Sequence, residues 1–112
     1  MKESLNGEKE EKKVSSGFLL FLKETNGVGE AFFAAIEKLS KESALEDKTQ
    51  ELAYISCLTA LHMQDGLPFH MQRAKDLKAT KEEVRSAVLV PLPLIGIRVM
   101  DALEILEDIF SE

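Results

Sequence analysis

An all-α fold is predicted by three features of this 112-residue chain. Apolar residues recur at three- and four-residue spacing along most of its length. Helix-start signals of the Ser/Thr/Asp-x-x-Glu/Gln type precede two of those stretches. Turn-forming groups, Asn26-Gly27, Gln64-Asp65-Gly66 and Pro91/Pro93, separate them, and no run alternates as a half-buried strand does. The expectation is about six helices in a bundle with short connections.

The order of elements follows. MKESLNGEKEEKK, residues 1–13, is dense in charge and almost free of apolar side chains, and reads as a disordered leader. Residues 14–112 then read as one helical domain. Ser15 and Ser16 cap a short helix carrying Phe18, Leu19, Phe21 and Leu22. Asn26-Gly27 ends it, because both residues tolerate left-handed backbone angles. A second helix, Val28 to Lys41, carries Phe32, Ala35, Ile36 and Leu39 in one stripe. Ser43 to Lys48 is a hinge.

Asp47 and Gln50 resemble a capping box at the start of a third helix, expected to reach Met63. Glu51, Ile55, Leu58 and His62 share one of its faces, and Ala53, Cys57, Ala60 and Leu61 line another. That pattern predicts a central helix buried on most sides. Pro68 suits the first turn of the next helix, where its missing N–H costs nothing. His70, Ala74 and Leu77 fall on one side of that helix, with Gln72, Arg73 and Lys75 pointing elsewhere. Thr80 and Glu83 make a second capping box, with Ala79 and Val84 spaced as a hydrophobic staple. Val84, Ala87 and Val88 form a fifth apolar face. Pro91 and Pro93 interrupt the pattern, and the residue before each is expected to leave helical angles. A last helix, Leu94 to Phe110, carries Val99, Leu103, Leu106 and Phe110 on one side and Asp101, Glu104, Glu107 and Asp108 on the other.

Composition narrows the function. The formal net charge is −6, which disfavours nucleic acid as a partner, because phosphate contacts dominate that affinity. The apolar run from Ala87 to Ile97 is too short to span a bilayer and holds two prolines, so no membrane association is expected. One cysteine, Cys57, excludes an internal disulfide and a thiolate zinc cluster. A reducing, cytoplasmic setting fits, with no secretory signal at the N-terminus. There is no glycine-rich phosphate loop and no nucleophile-elbow serine. No cofactor and no metal site are predicted: the histidines lack the His-x3-His spacing of a helical metal site.

The segment Leu45 to Val84 carries ALEDKTQELA, then His70, then AKDLKATKEEV. It resembles the carboxymuconolactone decarboxylase and alkylhydroperoxidase D-like family. Members of that family carry K-x-x-E-L, a Cys-x-x-Cys pair, a histidine four residues after the second cysteine, and A-x-x-x-G-A-T-x-E-E. Glu51 and His70 fall at the family's acid and histidine positions. Ala74, Ala79, Thr80, Glu82 and Glu83 fit the downstream motif. Met63 and Gly66 stand at the two cysteine positions, and Lys78 replaces the glycine before Ala-Thr. The resemblance implies the helical scaffold and a homo-oligomer, a dimer, trimer or hexamer. It does not imply peroxide reduction by two thiols, which needs a thiolate and a resolving thiol.

Glu51 and His70 are therefore the candidate catalytic pair. A carboxyl group raised in pKa by burial can act as a general base, and imidazole titrates near neutrality. Each also has a plain reading: Glu51 as a helix N-terminal acid, His70 as a core residue bonded to a carbonyl. His62, Met63, Gly66 and Tyr54 are the candidate substrate-binding residues. His62 lies roughly 16 Å along the helix from Glu51 and reaches His70 only across the Asp65-Gly66 turn. Cys57 is expected to be buried and inert. The apolar VLVPLPLIGI stretch is expected to bury against another subunit. Two functions are in play: a lyase acting on a small organic acid or lactone by Glu/His proton transfer, and a non-catalytic oligomeric scaffold that binds a small molecule or a protein. Thiol-dependent peroxidase activity through Cys57 is a third.

Overall fold

The computed structural model describes residues 14–111. The leader read at residues 1–13 lies outside them. By its internal contacts the chain divides into two compact units, Met1–Glu46 and Asp47–Glu112. The division falls within the Ser43–Lys48 stretch read as a hinge. All the described regular elements are helical.

The first unit contributes a helical hairpin, α1 (Ser16–Glu24) and α2 (Gly27–Glu42). The Ser15 hydroxyl accepts the Phe18 backbone N–H at 3.2 Å, closing the first turn of α1. Asn26 makes the turn with φ of 52°, as its side chain allows. The hairpin closes tightly at Gly29, where a β-carbon would come within 2.8 Å of the Thr25 hydroxyl and 3.0 Å of the Phe21 carbonyl. Phe21 and Phe32 meet edge to face at 5.4 Å. The stripe on α2 is otherwise largely exposed at Phe32, Ala35 and Leu39.

The second unit contains α3 (Asp47–Ala60), a 3-10 turn at Gln64–Gly66, α4 (Leu67–Asp76), α5 (Lys81–Leu89), the four-residue α6 (Leu92–Ile95), a 3-10 turn at Gly96–Val99 and α7 (Met100–Ser111). Ile55, Leu67, Met71, Val84, Val88 and Leu106 are fully buried at its centre. Helix α3 packs against α4 and α5, and α7 packs against the same two helices. Helices α3, α4, α5 and α7 thus close on one core, and α3 and α4 form its most extensive pairing.

Three expectations are corrected here. Helix α3 stops at Ala60, short of Met63, because His62 takes φ of 57° and the Met63 N–H turns back to the Leu58 carbonyl at 2.8 Å. That is a left-handed helix end of the Schellman kind. The long C-terminal helix is broken: Gly96, at φ of 63°, ends α6, and a 3-10 turn intervenes before α7. The residue before Pro91 stays helical, since Val90 has φ −52° and ψ −45° and its N–H bonds the Ser86 carbonyl at 3.0 Å. The proline bias was outweighed by completion of the α5 hydrogen-bond ladder.

The α4–α5 junction follows the sequence closely. The Thr80 hydroxyl accepts the Glu83 N–H at 3.0 Å and the Glu83 carboxylate accepts the Thr80 N–H at 2.9 Å, a complete capping box. The bond from the Thr80 backbone, then that from Lys48, holds the Glu83 carboxyl below its ordinary range. Just before this box, Lys78 sits at φ of 74° while the Ala79 N–H reaches the Ala74 carbonyl at 2.9 Å. A β-carbon is disfavoured in that left-handed conformation. Lys78→Gly is expected to raise stability by about 0.5–1 kcal/mol, the relief of strain exceeding the added unfolded-state entropy. A urea titration that finds the variant less stable than the parent would refute this reading of the turn.

Candidate functional site

Helices α3 and α4 run back to back across the short Leu61–Gly66 connection, which brings residues 19 positions apart into contact. Glu51, just past the first turn of α3, and His70, on α4, meet there. His70 Nδ1 lies 2.7 Å from Glu51 Oε1. An ionised carboxylate only accepts, so Nδ1 carries the proton and donates it. In the neutral tautomer that this contact selects, the lone pair lies on Nε2.

The two side chains differ in access. Glu51 is 10% exposed and His70 26% exposed at the side-chain level. The carboxylate is thus the inner partner and the imidazole the outer one. Two aromatic rings frame the imidazole: Tyr54 at 5.1 Å, tilted by 49°, and Phe69 edge-on at 5.2 Å. With Nδ1 committed to Glu51 and the ring flanked by Tyr54 and Phe69, Nε2 is the nitrogen left for a ligand. Burial, then the negative Glu51 carboxylate, then Cys57 push the Tyr54 phenol above its usual value. Tyr54 therefore stays a neutral hydroxyl, a donor as well as an acceptor.

The other candidates divide. Tyr54 joins the pair, but His62 does not. Its side chain is 40% exposed and its Nε2 lies 3.9 Å from Asp101 Oδ2 on α7. Gln64 links the same two residues: its Nε2 donates to Asp101 Oδ2 at 3.0 Å and lies 3.4 Å from His62 Nδ1. The left-handed turn at His62 directs it away from the α3 line. Met63 is 54% exposed. Gly66 is half-buried and backs onto Leu58, whose methyl would lie 3.0 Å from an added β-carbon. These three residues belong to the connection, and its hydrogen bonds and packing account for them.

Cys57 is exposed, not buried. The reason lies in the faces of α3. Its buried line is Gln50, Glu51, Ile55 and Thr59, largely polar, whereas the apolar strip of Ala53, Cys57 and Leu61 faces outward. Thr59 satisfies its buried hydroxyl by donating to the Ile55 carbonyl at 2.8 Å. Hydrophobic pattern alone could not anticipate a helix that buries its polar side. Gln72, which the sequence places off the face of His70, Ala74 and Leu77, is buried, with its Nε2 donating to Asp76 Oδ1 at 2.9 Å. Phe69 was not singled out from sequence; its position next to His70 was the available signal.

An open groove of about 420 Å³ runs between α3 and α5, lined by Leu52, Ala53, Ser56, Ala87 and Val90 among others. Glu51 and His70 are not among its lining residues. No group of three His, Cys, Asp or Glu side chains comes together among the described residues. No helix among them is long and apolar enough to cross a membrane.

This all-α unit brings an inner carboxylate, Glu51 on α3, into contact with an outer imidazole, His70 on α4. The chain belongs to the carboxymuconolactone decarboxylase family, whose family model matches residues 26–108. The match covers α2 through most of α7 and so extends across both compact units. Comparison with curated proteins and with solved structures gave no match.

Proposed function

We propose that the chain acts on a small organic acid or lactone, with His70 as the proton-transferring group and Glu51 as the residue that orients it. The observation that carries this reading is the 2.7 Å bond between His70 Nδ1 and Glu51 Oε1. It favours one imidazole tautomer and leaves Nε2 as the nitrogen not engaged by Glu51, the arrangement a general acid–base catalyst needs. The sequence reading gave Glu51 the role of general base or proton relay. Its lower exposure supports an orienting role instead.

In a decarboxylation the carbon–carbon bond to the carboxylate breaks, carbon dioxide leaves, and its electron pair passes into an enolate. His70 takes up a proton from solvent at its Nε2 lone pair and delivers it to that carbon, returning to the neutral ring. No thiol takes part, consistent with methionine and glycine at the family's two cysteine positions. The exposed apolar side chains of Val90, Leu94 and Ile97 support self-association of the chain.

The test is His70→Gln, assayed against a panel of lactone acids by carbon dioxide release and by deuterium uptake from heavy water. A fall of about 10²–10⁴-fold is expected, the usual contribution of a positioned acid–base group. Unchanged turnover in His70→Gln would remove the catalytic reading. Binding without turnover by the unmodified chain would favour the scaffold function.

A further inference from the structure

The sequence offers few positive groups to hold an anionic substrate, and the structure separates two of them. Lys75 is engaged at the far end of α7: its Nζ donates to the Ile109 carbonyl at 3.0 Å and lies 5.4 Å from the centre of the Phe110 ring. Arg73 is different. It is half-buried, and no carboxylate among the described residues pairs with it. Acidic residues outnumber basic ones by 20 to 14 in this chain, so a partly desolvated guanidinium without a carboxylate needs a reason.

Its place on α4 supplies one. Gly66, His70, Arg73 and Leu77 follow i, i+4, i+7 and i+11 and share a face. The sequence reading turned Arg73 away from His70; the register makes them neighbours at i and i+3, about 5–6 Å apart at their β-carbons. Helical side chains lean toward the N-terminus and cover the preceding turn. For Arg73 that turn is the one presenting His70. Each member of this strip is partly exposed, so a ligand can reach both groups from one side.

We infer that Arg73 anchors the carboxylate of the ligand whose reacting atom meets His70 Nε2. The inference rests on the proposed role of His70. A guanidinium offers two parallel N–H donors that match a carboxylate, a geometry an ammonium group does not reproduce. The plain alternative is that Arg73, in the last turn of α4, serves only the helix dipole. Lysine would serve the dipole equally well, which makes the two accounts separable.

The experiment is an NMR titration of the full chain, with histidine ring nitrogens labelled. The probes are a five-membered lactone bearing one carboxylate and its uncharged methyl ester. The unmodified chain should bind the acid about ten-fold or more tightly than the ester, as a charge-assisted contact implies. The acid should also shift the His70 Nε2 signal. Arg73→Gln should erase the preference, Arg73→Lys should recover only part of it, and thermal unfolding should show both variants folded. Equal preference in Arg73→Gln, or no preference in the unmodified chain, overturns the anchor. If Arg73→Gln keeps the preference while His70 still shifts, the anchor fails and the His70 reading stands. If Arg73→Gln erases the preference but the acid never shifts His70, the His70 reading fails, and with it the anchor's placement beside the reacting atom.

Discussion

Leu106→Ala is expected to lower the stability of the chain by about 3 kcal/mol, within the range of about 2–5 kcal/mol for a fully buried leucine. Leu106 has no exposed surface. It belongs to the same core cluster as Ile55, Met71, Val84 and Val88, where α3, α4, α5 and α7 converge. Removing its outer carbons leaves a void in the core that α7 closes against α4 and α5, and collapse around it would require those helices to shift together. Small domains have only about 5–15 kcal/mol to lose. A loss of this size should move the urea midpoint markedly while the slope stays fixed. Leu103→Ala, one turn away and only partly buried, should cost clearly less. Equal midpoints for the two variants would show that α7 does not close the core as described.

The stripe on α7 also shows what the sequence could and could not convey. Val99, Leu103, Leu106 and Phe110 are correctly spaced for a helix, yet the buried line is Val99, Ala102, Leu106 and Ile109. Both sets fit the helical period, and the choice between them is made by where α4 and α5 lie. Local punctuation was more legible. The Ser15 cap, the Asn26 turn, Pro68 at the start of α4 and the Thr80–Glu83 box are decided by chemistry within four residues, and all are present.

The misread features depend on distant partners. Helix α3 buries Gln50, Glu51 and Thr59 while exposing Cys57, because its neighbours settle on its polar side. The break at Gly96 replaced a continuous helix because glycine accepts a left-handed angle at that point. The encounter of Glu51 with His70 lay between these extremes. Family resemblance put both residues in the frame, but their contact required α4 to fold back along α3, and the 3-10 turn at Gln64–Gly66 accomplishes that. The preference for Nε2 as the outward nitrogen was not legible at all, since it follows from which nitrogen the carboxylate takes.

Glu51→Gln should cut turnover by about 10²–10⁴-fold while leaving the chain folded. The substitution is nearly isosteric, so the packing around this buried side chain is retained. What changes is the hydrogen-bond instruction given to His70. A carboxylate can only accept, which compels Nδ1 to hold a proton. A glutamine amide can turn its NH₂ toward Nδ1, which then accepts, and the ring proton moves to Nε2. His70 would lose its outward lone pair, although its position is unchanged. The cost of the wrong tautomer would fall on the chemical step, so kcat should drop while KM changes little. Nitrogen chemical shifts of the His70 ring give an independent readout, because protonated and unprotonated imidazole nitrogens resonate far apart. In its neutral ring the parent should show Nδ1 protonated and Nε2 free, and Glu51→Gln should show the reverse or a mixture. Glu51→Asp keeps the acceptor but shortens the reach by one methylene, so it should restore the tautomer and recover part of the activity. If Glu51→Gln retained full turnover with its Nε2 protonated, proton transfer through the His70 lone pair would be ruled out, and the dyad would be a structural contact between α3 and α4.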